Sequence, residues 1–211
     1  MQLELLDFTG RYVHQASFKN QIVMHHTVSG DNAQKVVDYW KKQPSLIGTS
    51  HLIDRQGKIY QVYDDSFWAG HVGDTTQDMA KFSLIPRNCS KSSLGVELLS
   101  MGGLKMYHSK LLDAYGYAFK GEVEQVSHRG YSYFEKYTTA QIQSLKELLL
   151  YWRDKYNIPL EMHGGVSSIF DLQKEALNGT PGLYTHCSFR HDKSDLYPSD
   201  ELMAMLETIN D

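Results

Sequence analysis

The stretch YTTAQIQSLKELLLYWRDKYNIP, residues 137–159, restricts the fold more than any other part of the chain, because it has one apolar face and must lay that face against something. Thr138 and Gln141 have capping-box spacing, Ile142, Leu145, Leu149 and Trp152 recur at the helical period, and Pro159 falls just beyond the end. The partners of this helix are short β-like runs. Residues 21–27 read as a buried strand, HLID and KIYQVY flank a turn at Gln56-Gly57 as a hairpin, and SLGVELLS is a further apolar run with Glu97 in its middle. GDNAQKVVDYWKKQ predicts a helix with Asp31 as N-cap and Val36, Val37 and Trp40 on one face, and SDELMAMLETI a C-terminal helix capped by Ser199. Strands interleaved with long helices imply an α/β protein, a central mixed β-sheet flanked by helices. Residues 100–137, rich in Gly and Tyr with weak periodicity, read as an irregular insertion, and residues 164–182 as a smaller excursion. A length of 211 residues suits a single domain with such an insertion.

The histidines narrow the chemistry. In QIVMHHTVSG, residues 21–30, a strand ends on His25 and His26, which point to opposite faces. His26 reads most simply as a packed, hydrogen-bonded residue; His25 needs partners elsewhere to be a metal ligand. Near the C-terminus, GLYTHCSFRHDKSDLYP holds His186 and Asp195 nine residues apart, close enough for one loop to bring both to a point. Two imidazoles and a carboxylate leave an open fourth position, the arrangement of catalytic zinc. Such an ion acidifies water and polarises a carbonyl. Glu97, acidic within an apolar strand, fits a proton shuttle, and Lys193 fits the stabilisation of an oxyanion.

Other readings are excluded by composition. A net charge of −4 without a basic stripe argues against nucleic acid as partner. No apolar run approaches the ~18 residues of a membrane span, so no membrane insertion is expected. The start MQLELLDFTGRYVHQ lacks a basic and then apolar signal pattern, so synthesis in the cytoplasm without a signal peptide is expected. Two cysteines about a hundred residues apart give neither a disulfide framework nor a CxxC zinc site. Fourteen tyrosines suit a groove for a polar ligand.

The ordered set IVMHHT, SHLIDRQGKIYQVYDDSFWAGHVG, SLGVELLS, the long helix and THCSFRHDKSD resembles the zinc-dependent N-acetylmuramoyl-L-alanine amidases, a family that includes phage lysozyme-type amidases, anhydro-muropeptide amidases and the peptidoglycan recognition proteins. The resemblance covers roughly residues 20–99 and 137–206. It implies one Zn2+ held by His25, His186 and Asp195, Glu97 as the catalytic acid and Lys193 as the lysine two before the last ligand. Trp68 and His71, in FWAGHVG, would contact the muramoyl or peptide part of the substrate. Some branches use a tyrosine just before the hairpin; Thr49 stands there, which places the general-base role on Glu97. A rival register takes His163 of EMHGG as second ligand, but only His186 has the Lys-x-Asp partner; Cys187 and His191 stay open as further ligands, and His51 as a cleft residue. The resemblance implies a hydrolase cutting the bond between N-acetylmuramic acid and L-alanine of peptidoglycan or muropeptides, in one domain over 1–211 with no separate wall-binding domain. A phage or prophage endolysin, released by a holin-like partner to act on the cell wall, is the first reading. The alternatives are a cytoplasmic recycling amidase, a non-catalytic peptidoglycan-binding module on the same fold, and a metal-dependent peptidase acting within the stem peptide.

Overall fold

In the computed structural model, which describes residues 2–73 and 75–211, the apolar runs assemble into one large sheet and one small one. Ten strands are formed by the described residues: β1 (Leu3–Leu5), β2 (Gln21–His26), β3 (His51–Ile53), β4 (Ile59–Gln61), β5 (Ser93–Leu98), β6 (Gly103–Tyr107), β7 (Lys110–Leu112), β8 (Val123–Glu124), β9 (Tyr133–Glu135) and β10 (Gly182–Thr185). The large sheet runs β1-β4-β3-β5-β2-β10. It is mixed: β2 lies parallel to both β5 and β10, β3 is parallel to β5, and only the β3–β4 hairpin is antiparallel. Every residue of β2 is buried, as expected for a central parallel strand covered on both faces.

The helices take the two faces by strand alternation. Ile22 and Met24, level with Leu94 and Val96, pack on the long helix α3 (Thr139–Tyr156) and on α5 (Asp200–Glu207) through Leu145, Leu149, Trp152, Leu202 and Leu206. Val23 faces the other way, towards Met79 of α2 (Thr76–Lys81) and Ala176 and Leu177 of α4 (Lys174–Asn178). Leu52 packs on the same side against Val36, Val37 and Trp40 of α1 (Ala33–Lys41). The capping box of α3 forms as its spacing demands: Thr138 Oγ1 accepts from the Gln141 backbone N–H and Gln141 Oε1 from that of Thr138, both at 3.1 Å. Ser199 caps α5 through the Leu202 N–H. For α1 the expected cap is one residue off. Asn32 accepts from the Lys35 N–H at 2.9 Å, while the Asp31 carboxylate is taken by the Arg55 N–H at 2.9 Å.

Residues 100–137 are not irregular. They form an antiparallel sheet in the order β7-β6-β9-β8. Lys105, Met106, Tyr107 and Lys110 are all exposed, so no alternation of apolar and polar residues marks these strands in the sequence. Phe134 anchors the small sheet by stacking on Tyr197, with ring centroids 4.2 Å apart. No helix among the described residues is long and apolar enough to cross a membrane.

Candidate metal centre

Strands β2, β5 and β10 run parallel and end side by side, which is where open α/β sheets gather ligands. The last turn of each carries chemistry. β2 ends on His25-His26, β5 on Glu97-Leu98, and β10 runs straight into His186. The loop after His186 then returns Asp195 to the same place. Among the described residues, His25, His186 and Asp195 form a group whose ligand atoms all lie within 4.8 Å of one another. His25 Nδ1 stands 3.2 Å and His186 Nδ1 2.9 Å from Asp195 Oδ2.

The protons of this group can be traced. His186 Nε2–H donates to the Val72 carbonyl at 2.9 Å, which in the neutral ring puts the lone pair on Nδ1. The Ser93 hydroxyl donates to the Cys89 carbonyl at 2.8 Å and therefore accepts from His71 Nε2–H at 3.0 Å. His71 Nδ1 in turn accepts from His25 Nε2–H at 3.0 Å, which puts the lone pair of His25 on Nδ1 as well. Two imidazole Nδ1 atoms and a carboxylate oxygen thus face one point. That donor set fits a divalent cation of the zinc type with a fourth position open. Burial above all, and then His186, pushes the His25 pKa down to about 4 and keeps the ring neutral. Burial alone would lift Asp195, but His186 and His25 hold its carboxyl well below the ordinary range.

Glu97 pairs with His25 in the β2–β5 register, so both side chains leave the sheet on one face. Its Oε2 is buried and has no hydrogen-bond partner among the described residues. Burial, and then the charge of Asp195, raises its carboxyl well above the usual range, against an opposing pull from Lys193. Lys193 sits two residues before Asp195 and, with Arg129, Tyr131 and His191, lines a cavity of about 420 Å³.

The remaining candidates separate clearly. His71 lies behind His25 with both ring nitrogens engaged, which leaves neither free for substrate. Trp68 is half-buried and pairs through its backbone with Val13. His163 Nε2–H donates to the Pro181 carbonyl, His191 is held by Asp78, and the buried Cys187 thiol donates to the Lys193 carbonyl; none joins the ligand group. His26 points to the opposite face and bonds the Tyr137 hydroxyl at 2.7 Å. His51 does not line the cleft. It is level with Val96, leaves the sheet on the α3 side, and pairs with Asp65 at 3.2 Å beside the Trp152 ring. Thr49 donates to the His51 carbonyl. Nothing in the sequence marks Val72, Ser90 and Ser93, because Val72 acts here through its backbone carbonyl and the two serines as hydroxyl acceptors, roles that no residue type announces.

A profile of the N-acetylmuramoyl-L-alanine amidases matches residues 16–196, most of the chain. The chain belongs to the N-acetylmuramoyl-L-alanine amidase family. As an amidase of this family it is a hydrolase of peptidoglycan. Solved structures share the amidase fold. The N-acetylmuramoyl-L-alanine amidase LysC from Clostridium intestinale URNW is 18% identical, with 98% of each chain covered and a TM-score of 0.56. The endolysine N-acetylmuramoyl-L-alanine amidase LysCS from the same organism is 19% identical over 98% of this chain and 95% of that one, with a TM-score of 0.54. PlyL is 14% identical over 98% and 97%, with a TM-score of 0.56. No curated protein sequence matches the chain.

Proposed function

We propose that this amidase cleaves the bond between the lactyl carbonyl of N-acetylmuramic acid and the L-alanine nitrogen of the stem peptide, with one Zn2+ held by His25, His186 and Asp195. The observation that carries the reading is the convergence of three ligand atoms, two imidazole nitrogens and a carboxylate oxygen, within 4.8 Å at the carboxyl ends of parallel strands. When bound, the ion supplies Lewis acidity to the scissile carbonyl and to the attacking water. The chain's own residues do the rest. Glu97 takes the proton of the water on its unpaired Oε2 and returns it to the leaving nitrogen. The Lys193 ammonium stabilises the oxyanion on the former carbonyl oxygen. Trp68 packs against the muramoyl or peptide portion of the substrate.

The biological setting we infer is that of a phage or prophage endolysin acting on the cell wall as one domain over 1–211, released with the help of a holin-like partner. The likeness in fold to LysCS, described as an endolysine, supports this.

Digestion of purified sacculi followed by mass spectrometry of the products tests the bond cut. Free stem peptides with an L-alanine amino terminus are expected; cleavage inside the stem would overturn the assignment. His25→Ala and Asp195→Ala should abolish release together with stoichiometric zinc. Glu97→Gln should keep the zinc and lose at least about 100-fold in kcat. Near-normal turnover in Glu97→Gln would remove Glu97 from the mechanism.

A further inference from the structure

One imidazole of the proposed centre ends strand β2 and the other directly follows its neighbour β10, yet both are oriented by one dipeptide. The His71 side chain accepts the Nε2–H of His25, and the Val72 carbonyl accepts the Nε2–H of His186. We propose that His71-Val72 is the positioning element that fixes the tautomers of both metal ligands, with Ser90 as its anchor. The inference rests on the reading of His25, His186 and Asp195 as the metal site.

Three further observations converge on it. Ser90 Oγ accepts from the backbone N–H of both His71 and Val72, each at 3.1 Å, so one hydroxyl pins the two residues together. The space for the His71 ring is left by Gly95 of β5: a Cβ there would stand 3.0 Å from His71 Nδ1 and 2.8 Å from Thr49 Cγ2. The two locks also differ in kind. A carbonyl can only accept, so Val72 fixes His186 by itself. An imidazole can do either, so His71 fixes His25 only because Ser93, having given its proton to the Cys89 carbonyl, forces His71 to donate through Nε2. An outer partner that sets ring orientation and tautomer in this way typically accounts for 10–100-fold in metal affinity, an order-of-magnitude figure.

The test uses metal-free, 15N-labelled full chain and long-range 1H–15N spectra of the histidines at neutral pH, together with zinc affinity measured by chelator competition. In the parent protein, His25 and His186 should both carry the proton on Nε2. In His71→Phe, His25 should show mixed tautomers while His186 keeps its own, and zinc should bind roughly 10–100-fold more weakly. His71→Asn, whose amide oxygen can accept from His25, should recover most of the affinity, which loss of packing alone would not allow. Should His71→Phe fail to fold, Ser93→Ala carries the same test by freeing the His71 tautomer. Unchanged His25 tautomer and unchanged affinity in the folded variants would overturn the positioning role alone. A parent protein that binds no zinc would overturn the metal reading beneath it.

Discussion

At Glu97 the fold holds a carboxyl whose Oε2 is buried without a partner, one strand from His25 and close enough to Asp195 to feel its charge. Burial and that neighbouring charge raise its pKa, so the native state favours the protonated form more than the unfolded chain does. As pH climbs past about 4.3, the unfolded carboxyl releases its proton first, and the native state loses stability until its own raised pKa is passed. Glu97→Gln should therefore melt a few degrees higher than the parent as metal-free protein at pH 7, with the gain vanishing near pH 4. Thermal scans at the two pH values check it; a lower melting temperature at pH 7 would mean that Glu97 has a stabilising partner. The same residue would then be costly to the fold and needed for turnover, which is how proton-transfer groups are commonly tuned.

Among the elements, α3 is the one whose limits follow from local chemistry. Its cap, its apolar stripe and the left-handed Asn157 that ends it before Pro159 act within a few residues of each other. Thr138 also donates to the Arg55 carbonyl at 2.7 Å, which ties the helix start to the β3–β4 turn. Thr138→Ala should cost about 1–2 kcal/mol, read as a melting temperature lower by roughly 4 °C with kcat unchanged. A loss below about 0.3 kcal/mol would show that the capping box contributes nothing here. The start of α1 teaches the opposite lesson. Asp31 and Asn32 are equally good caps by residue type, and the choice falls to Asn32 because a distant turn claims Asp31 through the Arg55 N–H. The strands of residues 103–135 went unread for a related reason: their exposed faces carry no apolar period, and their pairing is set by long-range contacts such as Phe134 on Tyr197.

For the molecule as a whole, buried histidines set the acid limit. His25, His26 and His128 are each pushed down to about 4, with burial the largest cause in every case. The unfolded chain binds these protons near pH 6.5, so the stability they confer is complete above that value and is lost as pH falls towards 4. Charging each buried ring costs on the order of a few kcal/mol by the bottom of that window. The melting temperature of the metal-free protein should fall steadily from pH 6.5 to pH 4; a flat profile would contradict the burial of these rings as neutral groups. By itself the sequence determined the α/β class, the limits of α3 and the opposite facing of His25 and His26, because helical period, caps and strand alternation act within a few residues. It also supplied the candidate set His25, His186 and Asp195, through ordered motifs spread over most of the chain. Only the tertiary structure decided that His25, His186 and Asp195 meet at one point, that His51 faces away, and that His71 stands behind His25. Those outcomes depend on strand register and on backbone carbonyls contributed by distant segments, and a carbonyl looks the same in every residue of a sequence.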